Sequence, residues 1–222
     1  YTFTVAYNVT AKFKIKDEMS NFNFNSSVDT CNITGLKDKT VSETVIPDYV
    51  TSIGYAAFYN CSRLTSVTIP DSVISIGDSV FKGCSSLESI TLPFVGEKAG
   101  ITSKDTYQYP FGYIFGENSY SGGVATTQYY YASYTSRTTY GTFYIPSSLK
   151  TVTITGGNIL YGAFYNCRGL TSVTIGNGVS SIGSSAFYNC SRLEKIIVTE
   201  NNARYCNKGT CLIDKISQTL IR

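Results

Sequence analysis

A unit of 23 residues occurs in tandem, IPDYVTSIGYAAFYNCSRLTSVT at 46–68 and IPDSVISIGDSVFKGCSSLESIT at 69–91. A third copy, IGNGVSSIGSSAFYNCSRLEKII, occupies 175–197, and a shortened one, ITGGNILYGAFYNCRGLTSVT, occupies 154–174. Nothing else in the chain constrains the fold as strongly. A unit this short cannot bury its apolar positions alone, whereas stacked units share one continuous core. The repeat therefore predicts a right-handed solenoid.

Each part of the unit has a physical reading. Val67 and Ile69, Ile90 and Leu92, Val152 and Ile154, and Val173 and Ile175 alternate with Ser and Thr, as in a half-buried strand. Pro70 or Gly176 ends the strand, because Pro cannot continue a central ladder. Ile53, Ile76 and Ile182 each precede a Gly, which suits a tight corner. Ala57-Phe58, Val80-Phe81, Ala163-Phe164 and Ala186-Phe187 then supply apolar groups from what reads as a short helical turn. Cys61, Cys84, Cys167 and Cys190 follow, and Leu64, Leu87, Leu170 and Leu193 lead back to the strand. The fold class expected is an α/β solenoid, β-rich, with one parallel sheet and short helical turns. About six or seven coils at ~4.8 Å each give a stack of roughly 30–35 Å.

The spacing breaks once. The strands at 89–92 and 151–154 lie 62 residues apart, 39 more than the period. The extra segment, 93–148, holds ten of the 19 tyrosines and reads as one repeat with an enlarged convex side. A structureless insert of that length would be out of place in a compact body. Residues 1–40 lack the template. Their β-like stretch YTFTVAYNVTAKFKIK and polar DEMSNFNFNSSVD read as an N-terminal β cap over the first coil. The division expected is a cap at 1–40, the solenoid at 41–199 and a hairpin-like segment at 200–222. Within that last segment YCNKGTC reads as a hairpin that could bring Cys206 opposite Cys211; a disulfide there and free thiols both remain open.

SIGYAAFYNCSRLTSVTIPDSV and SIGSSAFYNCSRLEKI resemble the BspA-like leucine-rich repeats of bacterial surface proteins. The segments FGYIFG, SYSGG and IPSSLKTVTITGG, and the ending VTENNARYCNKGTCLIDKISQTLI, also resemble stretches of such arrays. In that family further repeats follow this ending, so the resemblance implies a piece of a longer chain; Tyr1 in place of a start Met agrees. It also implies a non-catalytic, secreted or cell-surface module that adheres to host or neighbouring-cell proteins. The alternatives are a polysaccharide-binding module of a larger fibre-degrading assembly and a structural spacer.

Composition narrows the chemistry. The chain has no His, which removes His-based triads, Cys-His dyads and His-bearing zinc sites. The carboxylates are few and scattered, with no marked pair for glycoside hydrolysis. No CxxC, G-x-S-x-G or P-loop pattern occurs, so neither an enzyme nor a cofactor is expected. A net charge of +3 argues against nucleic acid, and no run of about 18 apolar residues argues for membrane insertion. The four template cysteines read as a buried column of free thiols. Asn60 and Asn189, in N-C-S sequons, read as turn residues.

Two surfaces remain as binding candidates. Residues flanking the inward Val and Ile form a hydroxyl ladder on the concave side, with Thr68, Thr91, Thr153 and Thr174 at its centre and Lys195 at one end. The insert offers Tyr129, Tyr130, Tyr131 and Tyr134, with Arg137 as a single anchor; tyrosine combines stiff contact area with a polar tip. Phe111, Ile114 and Phe115 read as local core. The insert is expected to carry most of the recognition, because the 23-residue unit closes each coil without it.

Overall fold

The computed structural model describes residues 21–26, 30–102, 109–132, 137–209 and 211–221. The β-like stretch expected over 1–16, and Tyr107 and Tyr134, lie outside the described residues. The strands are β1 Phe22–Ser26, β2 Cys31–Leu36, β3 Glu43–Val45, β4 Ser52–Ile53, β5 Ser66–Thr68, β6 Ser75–Ile76 and β7 Ser89–Leu92. After the insert's hairpin, β8 Gly123–Ala132 and β9 Arg137–Pro146, come β10 Thr151–Ile159, β11 Ser172–Ile182 and β12 Lys195–Val198. A terminal meander follows: β13 Tyr205–Lys208, β14 Cys211–Asp214 and β15 Thr219–Leu220.

The period-two stretches form a six-stranded sheet in the order β12-β11-β10-β7-β5-β3, every described pair parallel. The register puts Val67 beside Ile90, Ile90 beside Val152, and Val173 beside Ile196, so identical template positions stack. A single parallel sheet was expected, and the structure adds a second face. The two-residue strands at the Ser-Ile positions pair in parallel, β2 with β4 and β4 with β6, and β1 runs antiparallel along β2. β10 and β11 are long enough to turn the corner and join both faces, where Ile159 stands beside Ile182. The Ile-Gly step makes that corner possible. A Cβ on Gly77 or Gly183 would stand 2.6 Å from the backbone nitrogen of the coil below, Tyr55 or Tyr161.

The helical turns, and with them the α/β label, are not what the chain forms. Among the described residues there is no α-helix, and apart from Asn21 only Phe111–Phe115 is 3₁₀. The reason lies in how each turn spends its N–H groups. In the turn at 54–61, Ala57, Tyr59 and Cys61 donate three residues back within the turn. The intervening Ala56, Phe58 and Asn60 donate to Asp78, Val80 and Lys82 of the next coil, at 2.9–3.1 Å. Gly162, Phe164 and Asn166 do the same toward Ser184, Ala186 and Tyr188. An α-helix would keep all of these donors to itself. The alternation needs left-handed backbone twice per turn: at Ala56, Ser79, Gly162 and Ser185, and again at Asn60, Gly83, Asn166 and Asn189. Asn and Gly tolerate that conformation best, which explains their interchange before each Cys.

Inside the turns runs a spine of phenylalanines. Phe58 stacks on Phe81 with centroids 5.3 Å apart, and Phe164 on Phe187 at 5.4 Å. The insert bridges the gap: Phe115 meets Phe81 at 6.3 Å, Phe111 meets Phe115 at 5.3 Å, and Phe111 meets Phe164 at 4.7 Å. Backbone bonds agree, with Ser79 and Phe81 donating to Tyr113 and Ile114, and Phe111 donating to Ala163. β7 and β10 are immediate neighbours in the sheet, so the insert adds no strand there and lies on the turn side. The thiols of Cys61, Cys84, Cys167 and Cys190 are buried and free beside the spine.

The last segment folds as the meander β13-β14-β15. Cys206 pairs with Ile213 and Cys211 with Lys208, so the two cysteines are offset rather than opposite, and both are free. Tyr205 is buried and its hydroxyl accepts the Ile182 N–H at 2.8 Å. Asn202, also buried, donates to the carbonyls of Gly176 and Val179. The Asn207 amide accepts from Val198 N–H and donates to Ile196 C=O, occupying the free edge of β12 as a neighbouring peptide would.

Two outcomes follow for stability. Phe164→Ala removes a ring that contacts Phe111 on one side and Phe187 on the other and should cost about 3–5 kcal/mol in reversible urea unfolding. Asp214 should make the meander acid-sensitive. Burial works against its charge, but the Arg204 guanidinium at 3.0 Å and the N–H groups of Ile216 and Ser217 outweigh it, holding its carboxyl below the ordinary 3.8. A depressed folded value means the stabilisation is present above the ordinary range and lost as pH falls through the folded value. Amide exchange across 205–214, corrected for intrinsic rate, should therefore accelerate below about pH 4, and Asp214→Asn should remove that dependence.

Candidate functional site

The register assembles the predicted hydroxyl ladder. Thr68, Thr91, Thr153 and Thr174 occupy consecutive rungs of one outward row. Val45 precedes them and Ile197 follows them, 70% and 47% exposed. A parallel row runs Glu43, Ser66, Ser89, Thr151, Ser172, Lys195. The hydroxyls stand ~4.8 Å apart on the outward face of the sheet.

The insert's tyrosines do not act as one group. Tyr109 and Tyr113 are core, and Tyr130 is half-buried with its ring 6.4 Å from Tyr109. The backbones of Tyr131 and Arg137 pair within the hairpin, with Thr138 and Ala132, and their side chains lie outside the described residues, as does all of Tyr134. Tyr129 alone of these candidates has a described place in a larger surface. Its ring meets Tyr165 edge-on at 4.6 Å and Tyr140 at 6.1 Å, and Tyr165 stacks on Tyr188 at 4.7 Å. The result is a row Tyr140, Tyr129, Tyr165, Tyr188 that joins the hairpin to two repeats, with its end members 64% and 57% exposed. Crowding there shows in the Tyr165 phenol, pushed up by burial and then by Tyr188, Tyr129 and Tyr161. Tyr165 and Tyr188 share the template position after Phe, and that equivalence is legible in the repeat.

A single buried side chain fixes the hairpin to the stack. Gln128, fully buried on β8, accepts from Gly112 N–H at 2.6 Å through Oε1. Its Nε2 donates to Ala163 C=O at 3.1 Å and Tyr165 C=O at 3.3 Å and contacts Cys167 Sγ at 3.3 Å. In regular coils the corresponding thiols bond backbone, Cys84 to Phe58 C=O and Cys190 to Phe164 C=O. Gln128 thus stands in for the peptide groups that the shortened 3₁₀ turn lacks. Burial, and then Cys190, push the Cys167 thiol well up, so it stays protonated beside the amide. Asn166 adds a second tie, donating to Thr127 C=O at 2.7 Å.

Between the hairpin base and the turns of two repeats lies a cleft of about 530 Å³. Arg168 and Arg192 reach it from successive coils. Among the described residues no cluster of His, Cys, Asp or Glu suits a metal ion, and no helix is long and apolar enough to cross a membrane.

The model of the BspA type leucine rich repeat region matches residues 29–103 and 136–216, in six copies. The chain belongs to that family. No individual curated protein matches it. Among solved structures it resembles the T. pallidum leucine rich repeat protein TpLRR, at 20% identity over 79% of this chain and 68% of that one, with a TM-score of 0.35. A leucine rich cell surface protein from Faecalibacterium prausnitzii is 20% identical, over 91% and 60%, with a TM-score of 0.36. The pneumococcal vaccine antigen PcpA is 15% identical, over 91% and 54%, with a TM-score of 0.34. Such identities concern the repeat fold alone, and the chain spans 54% to 68% of these proteins' lengths.

Gln128→Leu keeps the volume and leaves Gly112 N–H without its acceptor. It should lower the urea unfolding free energy by about 1–3 kcal/mol. The exposed Tyr140→Ser should change it by less than ~0.5 kcal/mol.

Proposed function

We propose that this repeat module is a non-catalytic recognition element displayed outside the cell, which binds a protein partner through the flank where the insert meets the repeats. The observation that carries this reading is the tyrosine row from Tyr140 through Tyr129 and Tyr165 to Tyr188. Aromatic rings held by one another lose little freedom on binding, and tyrosine dominates binding energy in many interfaces. Tyr130 belongs to the same hairpin; Tyr131, Tyr134 and Arg137, whose side chains lie outside the described residues, stay candidates on the sequence alone. The hydroxyls of Thr68, Thr91, Thr153 and Thr174 form the competing site; each is satisfied by water and nets little when it changes partner. Family membership and the cell-surface description of the Faecalibacterium prausnitzii neighbour support an extracellular location.

The test pairs two variants in pull-downs against extracellular-matrix and cell-surface proteins. Tyr140→Ser with Tyr188→Ser should lower retention at least tenfold. Thr68→Lys, Thr91→Lys, Thr153→Lys and Thr174→Lys together should leave it unchanged. The reverse pattern, with both variants melting as the parent does, places recognition on the concave sheet and sinks this reading.

A further inference from the structure

The cleft beside the hairpin has a charge pattern that the tyrosine row does not explain. Its lining contains two guanidinium groups, Arg168 and Arg192, and no carboxylate. Both arginines are exposed at its rim. Among the described residues the one ion pair is Arg204–Asp214, in the terminal meander, so neither rim arginine is neutralised by a neighbouring acid. Arg168 rests Nη2 and Nε against the Asn189 amide oxygen at 2.8 and 3.3 Å, a neutral partner that leaves its charge uncompensated. Two uncompensated cations at one rim repel each other, and an anion placed between them removes that cost. A guanidinium fork suits a carboxylate in particular, which it grips through two parallel bonds; Arg192 offers such a fork, and Arg168 adds its charge and its remaining donors.

The rest of the lining specifies what carries the carboxylate. The apolar floor is formed by Ile145 and Leu149, and hydroxyl groups come from Thr127, Ser147 and Ser191. Apolar patches alternating with short hydroxyls fit a ring that presents C–H groups on its face and hydroxyls at its edge. An extended acidic peptide would instead add along a strand edge. The β8 segment that walls the cleft has two of its carbonyls already engaged by side chains: Thr127 C=O by Asn166 Nδ2 at 2.7 Å, and Val124 C=O by Thr126 Oγ1 at 3.0 Å. The cleft, at about 530 Å³, is of the size that holds a short oligosaccharide rather than a lone ion.

We infer that this cleft is a binding subsite for an acidic saccharide, a uronic-acid unit whose carboxylate is clamped between Arg168 and Arg192. The inference is independent of the protein-binding reading, since the two surfaces use different residues. The cleft forms only because Gln128 and Asn166 hold the hairpin against the coils, so the insert creates the site.

The experiment is calorimetric titration of the full chain with four probes: trigalacturonate, its fully methyl-esterified form, maltotriose and triglutamate. Trigalacturonate should bind, and the ester and maltotriose should bind at least tenfold more weakly. Arg168→Ala or Arg192→Ala should each weaken trigalacturonate at least tenfold, while an unchanged thermal melt shows that the fold persists. Lys195→Ala, which removes one positive charge from the separate concave face, should leave the affinity within twofold. Equal binding of acid and ester overturns the proposal, as does tighter binding of triglutamate than of trigalacturonate. So does absence of trigalacturonate binding, or an equal loss in Lys195→Ala, which would report diffuse attraction to a cationic protein.

Discussion

Everything in this molecule depends on the division of N–H groups in the repeat's turns. Half of the donors close each turn on itself, and half cross to the next coil, from Ala56, Phe58 and Asn60 to Asp78, Val80 and Lys82 and again two coils later. No coil bonds all of its turn N–H groups by itself, because the crossing donors take their acceptors from a neighbour. Left-handed backbone at two positions per turn is the cost, of order 1–2 kcal/mol at a residue such as Ala56 or Ser185. The stack offsets it with the phenylalanine spine, which runs through those same turns.

The insert keeps the division intact while changing its parts. Two phenylalanines, Phe111 and Phe115, fill the spine where a regular coil supplies one. The 3₁₀ turn offers too few peptide groups to the coil at 162–167, and Gln128 supplies an amide in their place. The hairpin can then rise from the flank without opening the core. Asn207 uses the same device at the edge of β12, where a side-chain amide occupies the bonds a further strand would take. In both places an amide is the only side chain that both donates and accepts as a peptide does.

The geometry also separates two kinds of surface. The sheet face is regular: hydroxyls of one type repeat at the strand spacing, bounded by exposed Val45 and Ile197. The flank is irregular, with tyrosines from three coils and a cleft between hairpin and turns. Regular surfaces suit repetitive partners and irregular ones suit specific partners, and here the irregularity lies wholly on the side of the insert.

From the sequence alone came the solenoid, its parallel strands and the buried positions, because a 23-residue period carries each of these in every copy. The buried cysteines and the turn role of Asn60 and Asn189 were legible for the same reason. The helical turns were misread, since Ala-Phe with polar neighbours suits a helix as well as a ladder, and only the adjoining coil decides where the N–H groups go. Cys206 and Cys211 were placed in the right hairpin but not in register, because a two-residue shift leaves the local pattern unchanged. The roles of Gln128, Tyr165, Tyr188 and the two rim arginines belong to the tertiary structure. Gln128 reaches Ala163 across 35 residues of chain, and Tyr129 meets Tyr165 only when the hairpin folds back on the stack; the repeat makes Tyr165 and Tyr188 equivalent but does not put them beside the hairpin.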